Sequence, residues 1–199
     1  MCGIAGLVGP SAAQPDAEPT LARMLDAQAS RGPDDRGAHA GPEVRLGHLR
    51  LSIIDLSPGG HQPMATPDGR YHIVFNGELY NFVELRAELG PSEFRTASDT
   101  EVVLAAFARW GEACLDRFRG MFAFAVWDAR ERRLTLARDR FGVKPLHYAV
   151  RPDGTLLFAS EIRGLHAAGI APEPDLAAWA TYLATGHYDH GERTFWRAV

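Results

Sequence analysis

Seven consecutive residues, Met121 to Trp127, read Met-Phe-Ala-Phe-Ala-Val-Trp without a polar break. At this length and composition the run is a strand, and successive strand side chains point to opposite faces, so this strand has no face fit for water. It must be covered on both sides. A one-layer sheet with a wet face is thereby excluded, and the chain has to stack sheet and helix, or sheet and sheet, around it. Cys2 to Val8, small and branched throughout, makes the same demand at the start of the chain.

The rest of the pattern supplies the other layers. Leu21, Met24 and Leu25 fall at helical spacing between Glu18 and Ala29, and Gly32-Pro33 stops that helix. Val44 to Ile54 reads as one strand, Ser57-Pro58-Gly59-Gly60 as a turn, and Tyr71 to Phe75 as a strand that ends at Asn76-Gly77. Asn81 with Glu84 and Ser98 with Glu101 form two capping boxes, opening helices over Phe82 to Leu89 and Thr100 to Trp110. Leu134 to Ala137, Leu146 to Val150 and Thr155 to Ala159 are further strands, and Asp175 to Ala184 is a short helix before a polar tail. Strands meeting through short turns, with helices at intervals, suit two stacked sheets enclosed by helices better than strict strand-helix alternation.

A length of 199 residues suits one large domain, and a formal net charge of -4 without a single-sign block argues against a nucleic-acid-binding chain. No apolar stretch is long enough for a membrane span, and the apolar start lacks the basic region of a signal peptide. A cytoplasmic protein without membrane or nucleic-acid partners is the expectation. The two cysteines, Cys2 and Cys114, form neither a disulfide framework nor a metal-spacing pattern.

Cys2 follows the initiator methionine, whose removal is favoured by a small second side chain and would leave a thiol and an α-amine on one residue. These groups titrate near pH 8.5 and 8 when unperturbed, so the residue carries a nucleophile together with its own base. Attack on an acyl carbon also needs donors for the developing oxyanion. Asn76 offers a side-chain amide and Gly77 an unhindered backbone N–H, although Asn-Gly is also simply a favourable turn dipeptide. An α-amino acid substrate calls for a guanidinium at its carboxylate and carboxylates at its ammonium, and Arg50, Glu78 and Asp99 have that chemistry. Each also has an ordinary reading, Arg50 as a strand-edge residue and Asp99 as a first-turn helix charge.

Taken together, Met1-Cys2-Gly3-Ile4-Ala5-Gly6, Arg31-Gly32-Pro33-Asp34-Asp35-Arg36-Gly37, Arg50-Leu51-Ser52-Ile53-Ile54-Asp55, Phe75-Asn76-Gly77-Glu78-Leu79-Tyr80-Asn81, Ser98-Asp99-Thr100-Glu101 and Gly120-Met121-Phe122-Ala123-Phe124 resemble the glutaminase domain of glutamine-hydrolysing asparagine synthetases. Arg138-Asp139-Arg140-Phe141-Gly142-Val143-Lys144-Pro145-Leu146 and Ala159-Ser160-Glu161 extend the resemblance to about residue 165. It implies an α+β, four-layer αββα sandwich of two antiparallel sheets, the fold of the N-terminal nucleophile hydrolases. It also implies that Cys2 attacks the glutamine amide carbon and that Asn76 and Gly77 hold the oxyanion. Ammonia then leaves a glutamyl thioester, which water releases as glutamate. By the same matching Arg50 receives the substrate α-carboxylate, Glu78 and Asp99 its α-ammonium, and the backbone of Leu51, Ser52, Ile53 and Ile54 lines the pocket.

The resemblance further implies an amidotransferase domain over residues 2–186 and, from 187 to 199, a linker toward a synthetase domain, acting in cis or in trans, that uses ATP and Mg to amidate aspartate. The domain itself needs no cofactor and no metal. His187 and His190 have ligand spacing but no third ligand nearby, and Cys114 reads as a buried small apolar residue in a helix. Two other readings stay open at this point: an N-terminal nucleophile hydrolase acting on a different amide, and a silent glutamine-binding module.

Overall fold

The computed structural model describes residues 1–90, 94–187, 191 and 193–199. Among the described residues, nine strands form two sheets. The first contains β1 (Gly3–Val8), β2 (Asp35–Gly41), β3 (Val44–Arg50), β8 (His147–Val150) and β9 (Leu156–Ala159), ordered β2-β3-β1-β9-β8. The second contains β4 (Met64–Ala65), β5 (Tyr71–Leu79), β6 (Gly120–Asp128) and β7 (Arg133–Arg138) in sequential order. Every strand pair is antiparallel.

Side-chain alternation divides the interior into three apolar layers. Ile4, Val44, Leu46, Val74, Ala123, Ala125, Trp127 and Phe158 meet between the sheets. Their strand neighbours point outward: Ala5, Leu7 and Leu157 lie beneath α1 (Ala17–Asp26) and α4 (Ile162–Ala167), with Leu21, Met24, Leu25 and Leu165 as the helical counterparts. On the opposite side Ile73, Phe75, Phe122, Phe124 and Val126 pack under α2 (Phe82–Leu89) and α3 (Asp99–Trp110), against Leu85, Val102, Val103 and Phe107. The molecule is thus the expected αββα sandwich. The polar-free run in β6 has its reason: Ala123 and Ala125 face one sheet, Phe122 and Phe124 face a helix layer.

Several local expectations shift. The strand from Val44 ends at Arg50 instead of Ile54, because the chain beyond it curls around the Arg50 guanidinium, leaving Ile53 and Ile54 exposed. The strand from Tyr71 does not stop at Asn76-Gly77 but runs to Leu79, with Asn76 opposite Ala123 and Gly77 opposite Phe122. Gly77 is needed there for close approach, since a Cβ would fall 2.5 Å from the Met121 carbonyl. Asn81 makes no cap bond. Its amide bridges the Arg117 carbonyl and the Arg119 N–H instead. Ser98 does cap α3 through the Thr100 N–H, but Glu101 turns back to Arg95 and Thr96. Strands β2 and β4 and helix α4 carried no recognisable pattern.

After α4 the chain reaches α5 (Leu176–Thr185), capped by the Asp175 carboxylate. The tail returns beside it, pairing Trp196 with Pro174 and setting Phe195 against Trp179 at 4.5 Å. No helix among the described residues is long and apolar enough to cross a membrane.

Candidate active site

The alternation that builds the inter-sheet layer also builds a polar cleft at one end of it. On β3 the inward row is Leu46, His48 and Arg50, and on β5 it is Val74, Asn76 and Glu78. Cys2 stands in the same row as Ile4 of β1. Where these rows pass beyond the apolar layer they become chemical groups. Met1, Cys2, Arg50, Leu51, Ile53, Ile54, Asn76, Gly77, Glu78 and Asp99 line one cleft. Of the residues anticipated from sequence, only Ser52 stays off its wall, its N–H donated to Asp34 at 2.7 Å.

The Cys2 thiol is half-buried against Leu51, whose N–H points at Sγ from 3.4 Å. Burial pushes the thiol pKa up, opposed by that N–H, the chain's amino terminus and Arg50. The thiol is therefore neutral at pH 7, and a nearby base has to take its proton before it can attack. The main chain of Cys2 is held independently, its carbonyl accepting Nε of Arg31 at 2.8 Å.

Arg50 is 7% exposed, and the loop after it exists to hold the guanidinium. Nη1 donates to the Ser57 carbonyl at 2.8 Å and Nη2 to the Asp55 carbonyl. Asp55 fixes the loop by accepting the Ser57 hydroxyl at 2.6 Å and N–H at 2.8 Å and the Ala97 N–H at 3.1 Å. Gly60 lies flat against the guanidinium, where any Cβ would overlap it. Arg50 also lines the cleft, and its planar guanidinium has the fork geometry that suits a carboxylate.

Asn76 is 1% exposed, and its Nδ2 has no acceptor among the described residues. A buried donor without a partner costs about 1–3 kcal/mol. Such an expense in a cleft marks a place for a ligand oxygen. The Gly77 N–H joins it. The Phe75 N–H goes to Gln62 and the Leu79 N–H to Asp99, both away from β6, so by strand alternation the Gly77 N–H faces that same edge between them. Two adjacent donors converge on the cleft.

Asp99 opens α3 and accepts the Leu79 N–H at 2.9 Å. Burial raises its carboxyl to about 6, partly offset by backbone N–H groups of Leu79, Asp99 and Thr100, with the Glu78 charge adding to the rise. Two carboxylates held this close invite a cation. The cleft also contains residues that sequence reasoning passed over: Asp55, Gly60, Gln62, Thr100 and a buried Lys144. Gly59-Gly60 beside Gln62-Pro63 was the available signal, read only as a turn. Cys114 is fully buried in a short 3-10 segment, its thiol pushed up to about 12 by burial. His190, half of the histidine pair, lies outside the described residues.

A Glutamine amidotransferase domain family matches the chain over residues 1–199. The chain belongs to the glutamine amidotransferase family. Asparagine synthetase [glutamine-hydrolyzing] 3 of Bacillus subtilis is 43% identical over 182 residues, 89% of this chain and 28% of that protein. The amidase chry2 of Gibberella zeae is 44% identical over 156 residues, 77% of this chain and 23% of its own length. The chain therefore spans about a quarter of the length of the relatives it matches, in their N-terminal part. Among solved structures, glutamine phosphoribosylpyrophosphate amidotransferase from B. subtilis superimposes with a TM-score of 0.71 at 21% identity, covering 84% of this chain and 44% of that one. This likeness shows the N-terminal nucleophile hydrolase fold.

Proposed function

We propose that this amidotransferase domain hydrolyses L-glutamine to L-glutamate and ammonia through a thioester on Cys2. The observation that carries the reading is the orphaned Asn76 amide beside the open Gly77 N–H, two donors in the cleft that Cys2 also lines. After loss of Met1 the α-amine of Cys2 takes the thiol proton, directly or through water, and Sγ attacks the glutamine amide carbon. The oxyanion rests on Asn76 and Gly77. The protonated amine passes its proton to the leaving nitrogen, ammonia departs, and water cleaves the thioester to restore the thiol. Arg50 receives the α-carboxylate, Glu78 and Asp99 the α-ammonium, and the backbone of Leu51 to Ile54 closes the pocket wall. No metal or organic cofactor enters these steps.

The relatives are longer, and two kinds of name recur among them, asparagine synthetase and amidase. We propose that ammonia from this domain passes to a synthetase domain, in cis or in trans, reached through residues 187–199. Its ATP and Mg activate aspartate, in the cytoplasm, where a reactive free thiol persists. No residue of this chain is assigned to ATP or Mg.

An electrophilic ketone analogue of glutamine tests the reading. Peptide mass mapping is expected to find the label on Cys2, blocked by glutamine and absent from Cys2→Ala. Labelling of Cys114, or labelling indifferent to glutamine, overturns it.

A further inference from the structure

β4 covers β5 only at His72 and Ile73, so beyond them β5 has an open edge beside the cleft, and such an edge normally leaves a row of N–H groups without partners. Here that row is filled selectively. Gln62, 4% exposed, accepts the Phe75 N–H on Oε1 at 2.6 Å. Asp99 accepts the Leu79 N–H at 2.9 Å. Only the Gly77 N–H between them faces the cleft.

Gln62 does more than fill a vacancy. Its Nε2 donates to the Thr100 hydroxyl at 3.1 Å, and Thr100 directly follows Asp99 in the first turn of α3. The side chain is thus a strut between the residue before Asn76 and the residue after Asp99. From the opposite sheet, His48 Nε2 meets the Phe75 carbonyl at 3.1 Å, and burial lowers that histidine to about 4, so it is neutral and can donate. Both backbone polar atoms of Phe75 are therefore held by buried side chains, and Phe75 directly precedes Asn76 in β5.

We infer that Gln62 is a positioning residue for glutamine hydrolysis: it sets the Asn76 and Gly77 donors at a fixed separation from the ammonium-binding carboxylate of Asp99. The separation matters because a glutamine held at its α-end presents its amide carbonyl at one distance only. Donors displaced by a fraction of an ångström still bind the substrate but no longer meet the tetrahedral oxyanion. The inference rests on the glutaminase reading above, and deepens it.

The experiment compares Gln62→Leu, Gln62→Glu and Thr100→Val in the full chain, measuring glutamate release alongside alkylation of Cys2 by iodoacetamide, which needs no oxyanion donors. Gln62→Leu severs both contacts, and kcat is expected to fall about 30-fold, with KM and alkylation rate within about threefold of wild type. In Gln62→Glu a carboxylate can accept both the Phe75 N–H and the Thr100 hydroxyl, and kcat returns to within about fivefold of wild type at the same pH. Thr100→Val cuts one arm alone and lowers kcat about three- to tenfold, which keeps the test valid should Gln62→Leu not fold. A Gln62→Leu protein with unchanged kcat and lower thermal stability reduces Gln62 to a fold-stabilising role and overturns the inference. So does a Thr100→Val protein with wild-type kcat, or a loss of kcat matched by equal loss of alkylation. Wild-type protein that releases no glutamate speaks instead against the glutaminase reading itself.

Discussion

The Nε of Arg31 donates to the Cys2 carbonyl at 2.8 Å, while its Nη1 pairs with Glu161 at 3.0 Å. Glu161 is itself anchored, its N–H accepted by Gln28 at 3.0 Å. A residue at the extreme end of a chain would ordinarily fray. This buried guanidinium ties it to the core, so from a fixed backbone the thiol enters the cleft that Asn76 and Gly77 also line.

Replacing Arg31 by methionine keeps the stem and removes the fork. Breaking this largely buried pair leaves Glu161 with only its more exposed partner Arg163, and because Glu161 is partly solvated a loss of about 1–3 kcal/mol in unfolding free energy is expected. Glutamate release should fall at least tenfold, through kcat, since the α-end contacts of the substrate are untouched. Denaturant titration and steady-state kinetics on the same preparation check both numbers.

Gly60 offers a separate handle on the carboxylate end. In Gly60→Ala the new methyl overlaps the Arg50 guanidinium, which must leave its cage of Asp55 and Ser57 carbonyls. KM for glutamine should rise more than tenfold while kcat at saturation changes little, the signature of lost uniform binding. A glutamine titration decides it.

Asp99 illustrates a binding group maintained at a cost in stability. Its folded pKa of about 6 lies above the ordinary carboxyl value of 3.8. The folded state thus holds the proton more tightly than the unfolded chain. Its contribution is favourable below about pH 4 and is lost as pH rises through 6. Asp99→Asn keeps an acceptor for Leu79 and removes the buried charge, so it should be more stable than wild type by about 1–3 kcal/mol at pH 7–8 and no more stable near pH 4. The wild-type kcat/KM for glutamine should decline below about pH 6, as the carboxylate that receives the ammonium is protonated. The variant should lack that limb and show a raised KM.

Asn76→Ala removes one of two oxyanion donors. A fall in kcat of about 100-fold is expected, with KM nearly unchanged, because the donor meets an oxygen that is strongly negative only in the transition state. The variant should also unfold no more easily than wild type, as it deletes a buried donor that has no partner among the described residues. Thermal melts beside kinetics separate the two effects.

The layered fold was legible because it rests on period-two alternation and on runs such as Met121 to Trp127 that have no polar face. The nucleophile, the oxyanion pair and the charged end were legible as residue types, and strand parity explains why they converge: Cys2, Arg50, Asn76 and Glu78 share the inward-facing rows. What stayed hidden depends on contacts between distant segments. Gln62 and Asp55 look like ordinary loop residues until the loop closes over Arg50 and β5, separated from Thr100 and Ala97 by 38 and 42 positions. Asn76-Gly77 looked like a turn because local preference favours one there, and pairing with β6 overrode it. The edge strands β2 and β4 escaped notice because Gly37, Ala38 and Ala40 give β2 little apolar signal and β4 has only two residues.

Cleavage of glutamine by a Cys2 freed of Met1 is read out by glutamate release from protein of defined intact mass. Chains lacking Met1 should form glutamate and ammonia in equal amounts, while chains retaining Met1 and the Cys2→Ala variant should form none above background. Equal glutamate release from the Met1-retaining chain, or release that survives Cys2→Ala, would show that the nucleophile is not a Cys2 with a free α-amine.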